Sequence, residues 1–405
     1  MALAGMLALS TAMGIGRFAF TPLLPMMLHD GVIDLNAASW LASTNYLGYL
    51  VGALLCTFQP TLWRRFQGLP PVISAYAVRC GLVATCVLTL GMSLNVPAVW
   101  PALRFAAGVA SAFVFIYTSG WCLAQLAEQG ASHLGGVMYA GPGAGIALSG
   151  FLASAMVALG WTAATGWLIF GLLACGLTAT VWRRFVAPSG PSTVATATST
   201  PHGLKAKAST PHLLLLALAY GLAGFGYIIT ATFLPVIARQ ALPGSALLDL
   251  FWPLFGLGVM VGSLLASRVS LRGDLRYLLA ACYAVQAVGV AVTVWSPTLA
   301  GFISGSLLLG LPFTAITFFA MQEVRRLVPH QPASTMGLLT ALYGVGQIAG
   351  PPLVASLLQR STSLQAGFTL SLEIATAALL LGAILYLGLS RWYPLVGTGQ
   401  AQKNR

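Results

Sequence analysis

Charge is the scarcest property of this sequence. Asp, Glu, Lys and Arg make up only 6% of its 405 residues, whereas soluble domains carry about 25%. So few charges cannot cover a water-facing surface, which excludes a soluble globular domain and indicates that lipid is the main solvent. Only helices and closed barrels satisfy their backbone in lipid. Long apolar runs rich in Leu, Ala and Gly, without the alternation of barrel strands, predict an all-α membrane protein.

The sequence also lacks the signatures of catalytic, metal and cofactor sites. It contains no GxxxxGK[ST] loop, no HExxH and no GxSxG, and its six cysteines form no CxxC pair. Two glycine patterns, at 14–19 and 344–349, mimic a dinucleotide fingerprint, but neither follows a strand in a βαβ unit. We therefore expect no cofactor, no metal, no direct use of ATP and no enzymatic activity.

Apolar runs of roughly 20 residues, enough to cross a bilayer, recur twelve times. They lie at about 3–28, 37–59, 71–93, 98–122, 133–157, 161–182, 212–237, 246–267, 275–296, 298–322, 333–358 and 364–389, and are numbered here as spans 1 to 12. Residues 185–211, rich in Ser, Thr, Pro and Ala, interrupt the series as a flexible linker. We predict an N-terminal six-helix bundle at 1–184, a cytoplasmic linker at 185–211, and a C-terminal six-helix bundle with a short cytoplasmic tail at 212–405.

Basic residues are distributed unevenly among the loops. If the N-terminus is cytoplasmic, fourteen Lys and Arg residues fall in cytoplasmic segments, and only Arg239 and Arg360 fall in the opposite loops. The positive-inside rule therefore predicts that both termini and the linker are cytoplasmic. The same rule accounts for the net charge of +12, so we expect no nucleic-acid partner.

The two halves of the sequence repeat each other. At an offset of 210, segment 14–17 aligns with segment 224–227, and two glycines of span 2 align with two of span 8. The aligned glycines are Gly48 with Gly258, Gly52 with Gly262 and, at an offset of 202, Gly108 of span 4 with Gly310 of span 10. Two parallel six-helix halves related by an axis along the membrane normal are typical of the major facilitator superfamily (MFS).

Two stretches carry a closer resemblance. GIGRFAFTPLLPMM (14–27) and GLLTALYGVGQIAGP (337–351) resemble the YbfB/YjiJ family of that superfamily, and the resemblance extends over essentially the whole chain. It implies an all-α bacterial inner-membrane transporter with twelve transmembrane helices in two pseudo-symmetric bundles, with spans 1 and 7 lining a central cavity.

Shorter motifs agree with the superfamily in part. The segment 104–108 is similar to an Arg-xxx-Gly motif linked with proton coupling, and Gly141–Gly145 resembles a Gly-Pro antiporter motif. The loop after span 2 departs from the superfamily pattern, because it keeps Arg64 and Arg65 but lacks the usual acid.

Arg17 is the sharpest candidate for a binding residue. It lies near the midpoint of span 1, where an arginine costs about 2.5–3.5 kcal/mol on insertion scales, so a cavity, a partner or a ligand is expected beside it. Thr21 shares its helical face, and Tyr227 is its equivalent in the repeat. The resemblance implies that both faces line the cavity. Arg17 either binds an anionic substrate group or is a structural cation bonded to carbonyls or to Glu373.

Other candidates follow from residue type and depth. Arg104, about two turns inside span 4, either binds substrate and tunes a proton site or orders backbone carbonyls. Candidate binding residues with aromatic or polar side chains are Tyr46, Tyr139, Tyr343 and Gln347. Candidate acids for proton coupling or gating are Glu373, Glu323, Asp249 and Glu128, the last paired with Arg64 or Arg65; surface ion pairing is the alternative for these acids.

Together these features predict a secondary carrier that works by alternating access, is coupled to protons, and moves a small organic anion or zwitterion. The positive intramembrane balance left by Arg17, Arg79 and Arg104 favours an anionic group, and we expect Arg17 to face a watery vestibule between the halves. The expected partners are the substrate, protons and the lipid bilayer, with the protein a monomer. Efflux of amphipathic drugs is the alternative within transport. A non-transporting membrane sensor and a membrane-embedded enzyme are alternatives of other classes.

Overall fold

The computed structural model describes residues 1–65, 73–131, 134–185, 209–242, 247, 250–269, 273–328 and 332–394. Within these ranges the chain forms helices and no strands, and twelve helices are long and apolar enough to cross a membrane. The predicted fold class is confirmed. Residues 186–208 of the predicted linker, Asp249, and the side chain of Arg64 lie outside the described part, so the domain boundaries and the pairing of Glu128 with Arg64 stay predictions.

The spans lie within a few residues of the predicted positions. Spans 1 to 6 are Ala2–His29, Leu35–Gln59, Ser74–Gly91, Pro97–Leu126, Gly135–Ala158 and Ala163–Val181; spans 7 to 12 are Thr210–Ala241, Phe251–Arg268, Leu275–Trp295, Leu299–Leu327, Thr335–Arg360 and Leu364–Trp392. Some helices continue past the apolar stretch, as in Leu35–Arg65 and Trp100–Glu128. Hydropathy therefore locates the membrane-crossing part of each helix better than its ends.

Span 1 is not a continuous α-helix. Helices Ala2–Leu9 and Phe20–His29 are separated by the π-helical segment Ser10–Arg17. Pro22 lacks an amide hydrogen and crowds the carbonyl four residues before it, which disfavours a regular helix just ahead of it. The interruption falls at the membrane midpoint, where it frees backbone carbonyls and turns Arg17 toward the other half.

The repeated glycines make equivalent helix contacts in the two halves. Gly108 of span 4 lies against the backbone of Asn45 in span 2, and Gly310 of span 10 lies against the backbone of Phe255 in span 8. Neither position leaves room for a β-carbon, since small residues let membrane helices approach to backbone contact. The sequence repeat therefore corresponds to a repeated packing arrangement.

The two halves, spans 1–6 and spans 7–12, contact each other on both sides of the membrane midplane. The contacts are Gly136 with Ser267 and Gly337 with Thr57 toward the predicted cytoplasmic side, and Gly150 with Pro253 and Ser43 with Ile348 toward the opposite side. The structure is therefore a closed conformation, in which the region between the halves is enclosed.

Gly108→Ala is expected to lower the melting temperature, because the new β-carbon would collide with the backbone of span 2 and overpacking costs about 1–3 kcal/mol. Gly120→Ala, on the same span, is the control: no atom lies within 4 Å of the β-carbon that it adds, and alanine favours helix more than glycine does. Thermal unfolding in detergent, followed by tryptophan fluorescence, measures both. Equal melting temperatures would contradict backbone contact between spans 2 and 4.

Candidate functional site

Arg17 lies between the two halves and is enclosed by side chains from both. It is 3% exposed, and its Nη2 donates to Oε1 of Gln347 in span 11 at 2.8 Å. The ring centroids of Tyr49 and Tyr46, from span 2, lie 3.9 and 5.5 Å from its guanidinium carbon, within cation–π range. The sequence analysis named Tyr46 and Gln347 but missed Tyr49, whose spacing of three from Tyr46 puts it on the same helical face.

The guanidinium of Arg17 has no counter-charge among the described residues. No described carboxylate lies within 4 Å of it, and its Nε is buried without a hydrogen-bond partner. Its contact with Gln347 goes to a neutral amide. Since removing an ion from water costs several kcal/mol unless another charge compensates it, Arg17 is a cation with unused binding capacity.

Gln347 connects Arg17 to aromatic rings of the second half. Its Nε2 donates to the hydroxyl of Tyr227, the residue at the repeat position of Arg17. The ring of Tyr227 lies 5.9 Å from that of Tyr343 and 4.8 Å from that of Phe313. The structure thus brings three predicted residues, Tyr227, Tyr343 and Gln347, together beside Arg17.

Further aromatic rings extend across the boundary between the halves. Phe18, adjacent to Arg17 in sequence, lies 6.1 Å from Phe313 and 6.3 Å from Trp252, and Trp252 stacks on Phe255 at 5.0 Å. These separations are usual for favourable aromatic pairs. Sequence reasoning did not single out Phe18 or Phe313, because an aromatic residue in an apolar run is indistinguishable from packing until its neighbours are known. The site combines one cation with aromatic walls.

Two polar contacts join the first half to span 7 on the side opposite the predicted cytoplasm. The Thr21 hydroxyl donates to the carbonyl of Ala231 at 2.9 Å, and the hydroxyls of Tyr46 and Thr232 lie 2.9 Å apart. Thr21 therefore makes a closing contact one turn beyond Arg17. The open vestibule expected from the sequence is not observed: described side chains of both halves surround the guanidinium, because the halves touch on both sides of it.

Arg104 is 2% exposed and binds the interruption in span 1. Its Nη1 and Nη2 donate to the carbonyls of Gly16 at 3.2 Å and Arg17 at 3.0 Å. Asn45 Nδ2 in turn donates to the carbonyl of Arg104 at 2.8 Å. In this conformation the guanidinium of Arg104 satisfies backbone carbonyls released by the interruption, and it thereby positions Arg17 rather than facing Gln347 itself.

Glu323 lies in a cluster of charges at the predicted cytoplasmic end of the second half. It is 0% exposed, its oxygens lie 3.6 Å from Nε of Arg276 and 3.9 Å from Nη1 of Arg326, and neither oxygen has a hydrogen-bond partner. Arg276, also fully buried, pairs with Asp274 through two hydrogen bonds of 2.9 and 2.8 Å and donates to the carbonyl of Leu389 at 2.9 Å. The sequence analysis counted Arg276 only as one of the basic residues of the cytoplasmic loops, and that count gave no sign that Arg276 and Glu323 are buried.

The remaining predicted residues are not brought to Arg17. Tyr139 packs in the first half with its ring 6.1 Å from that of Phe115. Glu128 is exposed beyond span 4, and Glu373 is exposed on the outer face of span 12. Asp249 lies outside the described residues.

Comparisons with known proteins agree with this architecture. Residues 9–387 match the protein family described as uncharacterised MFS-type transporter YbfB. A chloramphenicol resistance protein of Streptomyces lividans is 29% identical over 371 residues, 87% of each chain. The uncharacterised MFS-type transporter YceJ of Bacillus subtilis is 27% identical over 319 residues, 76% of this chain and 70% of that relative. The crystal structure of the nucleoside transporter NupG superposes with a TM-score of 0.69 over 96% of this chain and 100% of its own, at 14% identity, which shows a common fold.

Arg17 and Arg104 are expected to respond differently to substitution. Arg104→Gln should lower the melting temperature, because carbonyls left unsatisfied at the membrane midpoint cost roughly 1–3 kcal/mol each. Arg17→Gln should leave it unchanged or raise it, because the substitution removes an uncompensated charge whose desolvation costs several kcal/mol. Thermal unfolding of both variants in one detergent measures the difference. A loss of stability in Arg17→Gln as large as in Arg104→Gln would show that Arg17 is satisfied as it stands.

Proposed function

This chain belongs to the family described as uncharacterised MFS-type transporter YbfB, and on that premise we propose that it carries a small organic anion, or a zwitterion with a carboxylate, by secondary active transport. Family and fold establish an MFS-type transporter and an integral membrane protein. We further propose that it acts as a monomer in the bacterial inner membrane with both termini cytoplasmic, which the asymmetry of Lys and Arg supports.

The observation that carries the proposed substrate class is the buried guanidinium of Arg17 without a counter-charge. A substrate carboxylate would supply that charge and accept two parallel hydrogen bonds from the planar fork. The aromatic rings of Tyr49 and Tyr227 would enclose the apolar remainder of a small molecule, as in most ligand sites. A neutral substrate would leave the charge uncompensated, so the site supports an anion best.

Alternating access would follow from the contacts on the two sides of Arg17. On one side the first half is held to span 7 by Thr21 and Tyr46, and on the other Gly136 and Gly337 pack across the boundary. None of these contacts is an ion pair, so each set can separate at modest cost while the other remains, which is the rocking motion expected of two MFS halves.

For the coupling ion we propose the proton, with Glu323 as the group that gains and loses it. Among the described acids Glu323 alone is buried. The charged and titratable groups that face it are Arg276 and Asp274 at the start of span 9, Arg326 on its own span and Tyr386 of span 12. Protonation would remove its attraction to Arg276 and loosen the predicted cytoplasmic end of the second half.

A second candidate is the extrusion of amphipathic aromatic compounds. It is favoured by the rings around Arg17 and by the similarity to a chloramphenicol resistance protein. Extrusion of this kind would raise resistance to chloramphenicol in an overproducing strain to the same extent with Arg17 or with glutamine in its place, whereas the anion carrier depends on Arg17.

Arg17→Gln is expected to abolish the binding of carboxylates, a loss of more than about 100-fold, because a buried carboxylate left without its cation costs roughly 3–5 kcal/mol. The weaker binding of neutral compounds should be unchanged. A thermal-shift screen of paired acids and amides, such as benzoate and benzamide, followed by uptake into proteoliposomes, measures both effects. Arg79→Gln is the matched control, since Arg79 lies in span 3 and donates to the carbonyl of Trp182. Unchanged affinity in Arg17→Gln would remove Arg17 from the site.

Glu323→Gln is expected to uncouple transport from the proton gradient, because the amide keeps the shape of the carboxyl group but cannot gain or lose a proton near neutral pH. Proteoliposomes that contain this variant should still exchange internal for external substrate, but an imposed pH gradient should no longer drive accumulation. Glu373→Gln, at an exposed position of span 12, should behave as the wild type. Gradient-driven accumulation by Glu323→Gln would assign the proton to another group.

A further inference from the structure

Gln347 occupies the position where an anion would meet Arg17. Its Oε1 accepts the hydrogen bond from Nη2 of Arg17 at 2.8 Å, and its Nε2 donates to the hydroxyl of Tyr227. Chemistry determines the orientation of the amide, because a guanidinium can only donate and the oxygen must therefore face it. Gln347 is 1% exposed and reaches Arg17 from the opposite half.

The side-chain amide of Gln347 has the shape of a carboxylate. Both groups are planar, and both carry two polar atoms on one carbon. A carboxylate at this place would present a charged oxygen to Arg17, and its second oxygen could accept from the hydroxyl of Tyr227, which can donate as well as accept. We propose that Gln347 stands in for the substrate carboxylate in the empty carrier and that the substrate binds by displacing it. This inference rests on the anion site proposed above.

The exchange between amide and carboxylate has a preferred direction. In the bond from Arg17 to Gln347 only the donor is ionised, whereas a carboxylate would be ionised as well and would add the attraction between opposite charges, so a carboxylate gains more at Arg17 than the amide of Gln347 loses. A neutral ligand of the same shape gains no such advantage. Gln347 thereby acts as a specificity-determining residue that makes the site reject the amides of the acids it accepts.

The backbone of Gln347 is held in place, so displacement falls on its side chain. Gly346, the preceding residue, lies against the backbone of Gly221 and Phe225 in span 7, and Gly344 lies against the side chain of Leu50 in span 2. Rotation of the side chain away from Arg17 breaks a hydrogen bond between the halves while span 11 keeps its packing. Substrate binding would thus remove one of the contacts that hold the closed conformation.

Gln347→Glu tests the stand-in without any ligand. The new carboxylate should pair with Arg17 and raise the melting temperature of the full-length protein in detergent, whereas in the Arg17→Gln background it should lower it. Gln286→Glu is the matched control: Gln286 is also 1% exposed, but its Nε2 donates to the carbonyl of Leu309 and its Oε1 accepts no hydrogen bond, so a carboxylate there should lower the melting temperature. A Gln347→Glu protein less stable than wild type with Arg17 present would overturn the inference.

Gln347→Ala provides the second measurement, with benzoate and benzamide as the probes. Removal of the competing amide should tighten benzoate binding about tenfold and should weaken the discrimination against benzamide. Equal benzoate affinity in the wild type and Gln347→Ala, with binding still lost in Arg17→Gln, would overturn the stand-in and leave the anion site intact. Benzoate binding that survives Arg17→Gln would overturn the proposed function and this inference together.

Discussion

A guanidinium that has been taken out of water without a compensating charge is the feature on which the rest of this structure depends. Arg17 makes its polar contact with the neutral amide of Gln347 and rests against the ring of Tyr49. Lipid cannot solvate such a group, so the protein must surround it, and it does so with residues of both halves. Under the proposed function, an anion would be most stabilised at this boundary, and binding and movement would share one location.

The position of Arg17 is itself a consequence of local chemistry in span 1. Pro22 disfavours a regular helix before it, the preceding turns become π-helical, and the carbonyls of Gly16 and Arg17 lose their helical donors. Arg104 satisfies these carbonyls. Arg17 and Arg104 thus differ in their partners: the two Nη atoms of Arg104 donate to carbonyls of span 1, whereas Nη2 of Arg17 donates to a side chain of the opposite half. Discontinuous helices at the membrane midplane serve carriers in this way, because irregular backbone there must line a site or find a protein partner.

Sequence reasoning reached the fold more completely than the site. The twelve spans follow from hydropathy, and the equivalence of Gly108 and Gly310 follows from the repeat, since both are periodic features of one chain. Arg17 could be singled out because a cation in an apolar run is costly wherever it lies. The contacts of Arg17 and Arg104 could not be predicted in the same way. Gln347, the partner of Arg17, is 330 positions away in the chain, and the hydrogen bonds of Arg104 depend on an interruption in a different span. The burial of Arg276 likewise could not be inferred. An arginine in a solvated loop and an arginine that binds the end of another helix, as Arg276 binds the carbonyl of Leu389, have the same local sequence.

The polar contacts within the halves and those between the halves differ in charge. Within each half, glycines bring helix backbones into direct contact, and the second half adds the buried pairing of Arg276 with Asp274 and Glu323. Between the halves, the polar contacts at Thr21, Ser43 and Tyr46 are neutral hydrogen bonds, each worth a net of about 0.5–1.5 kcal/mol. Glycines also bring span 5 against the backbone of span 8 across the boundary, as in Gly143 against Gly256, so what distinguishes the boundary is that these polar contacts carry no charge. Under the proposed function, a carboxylate that takes the place of Gln347 at Arg17 would therefore act against contacts of modest energy.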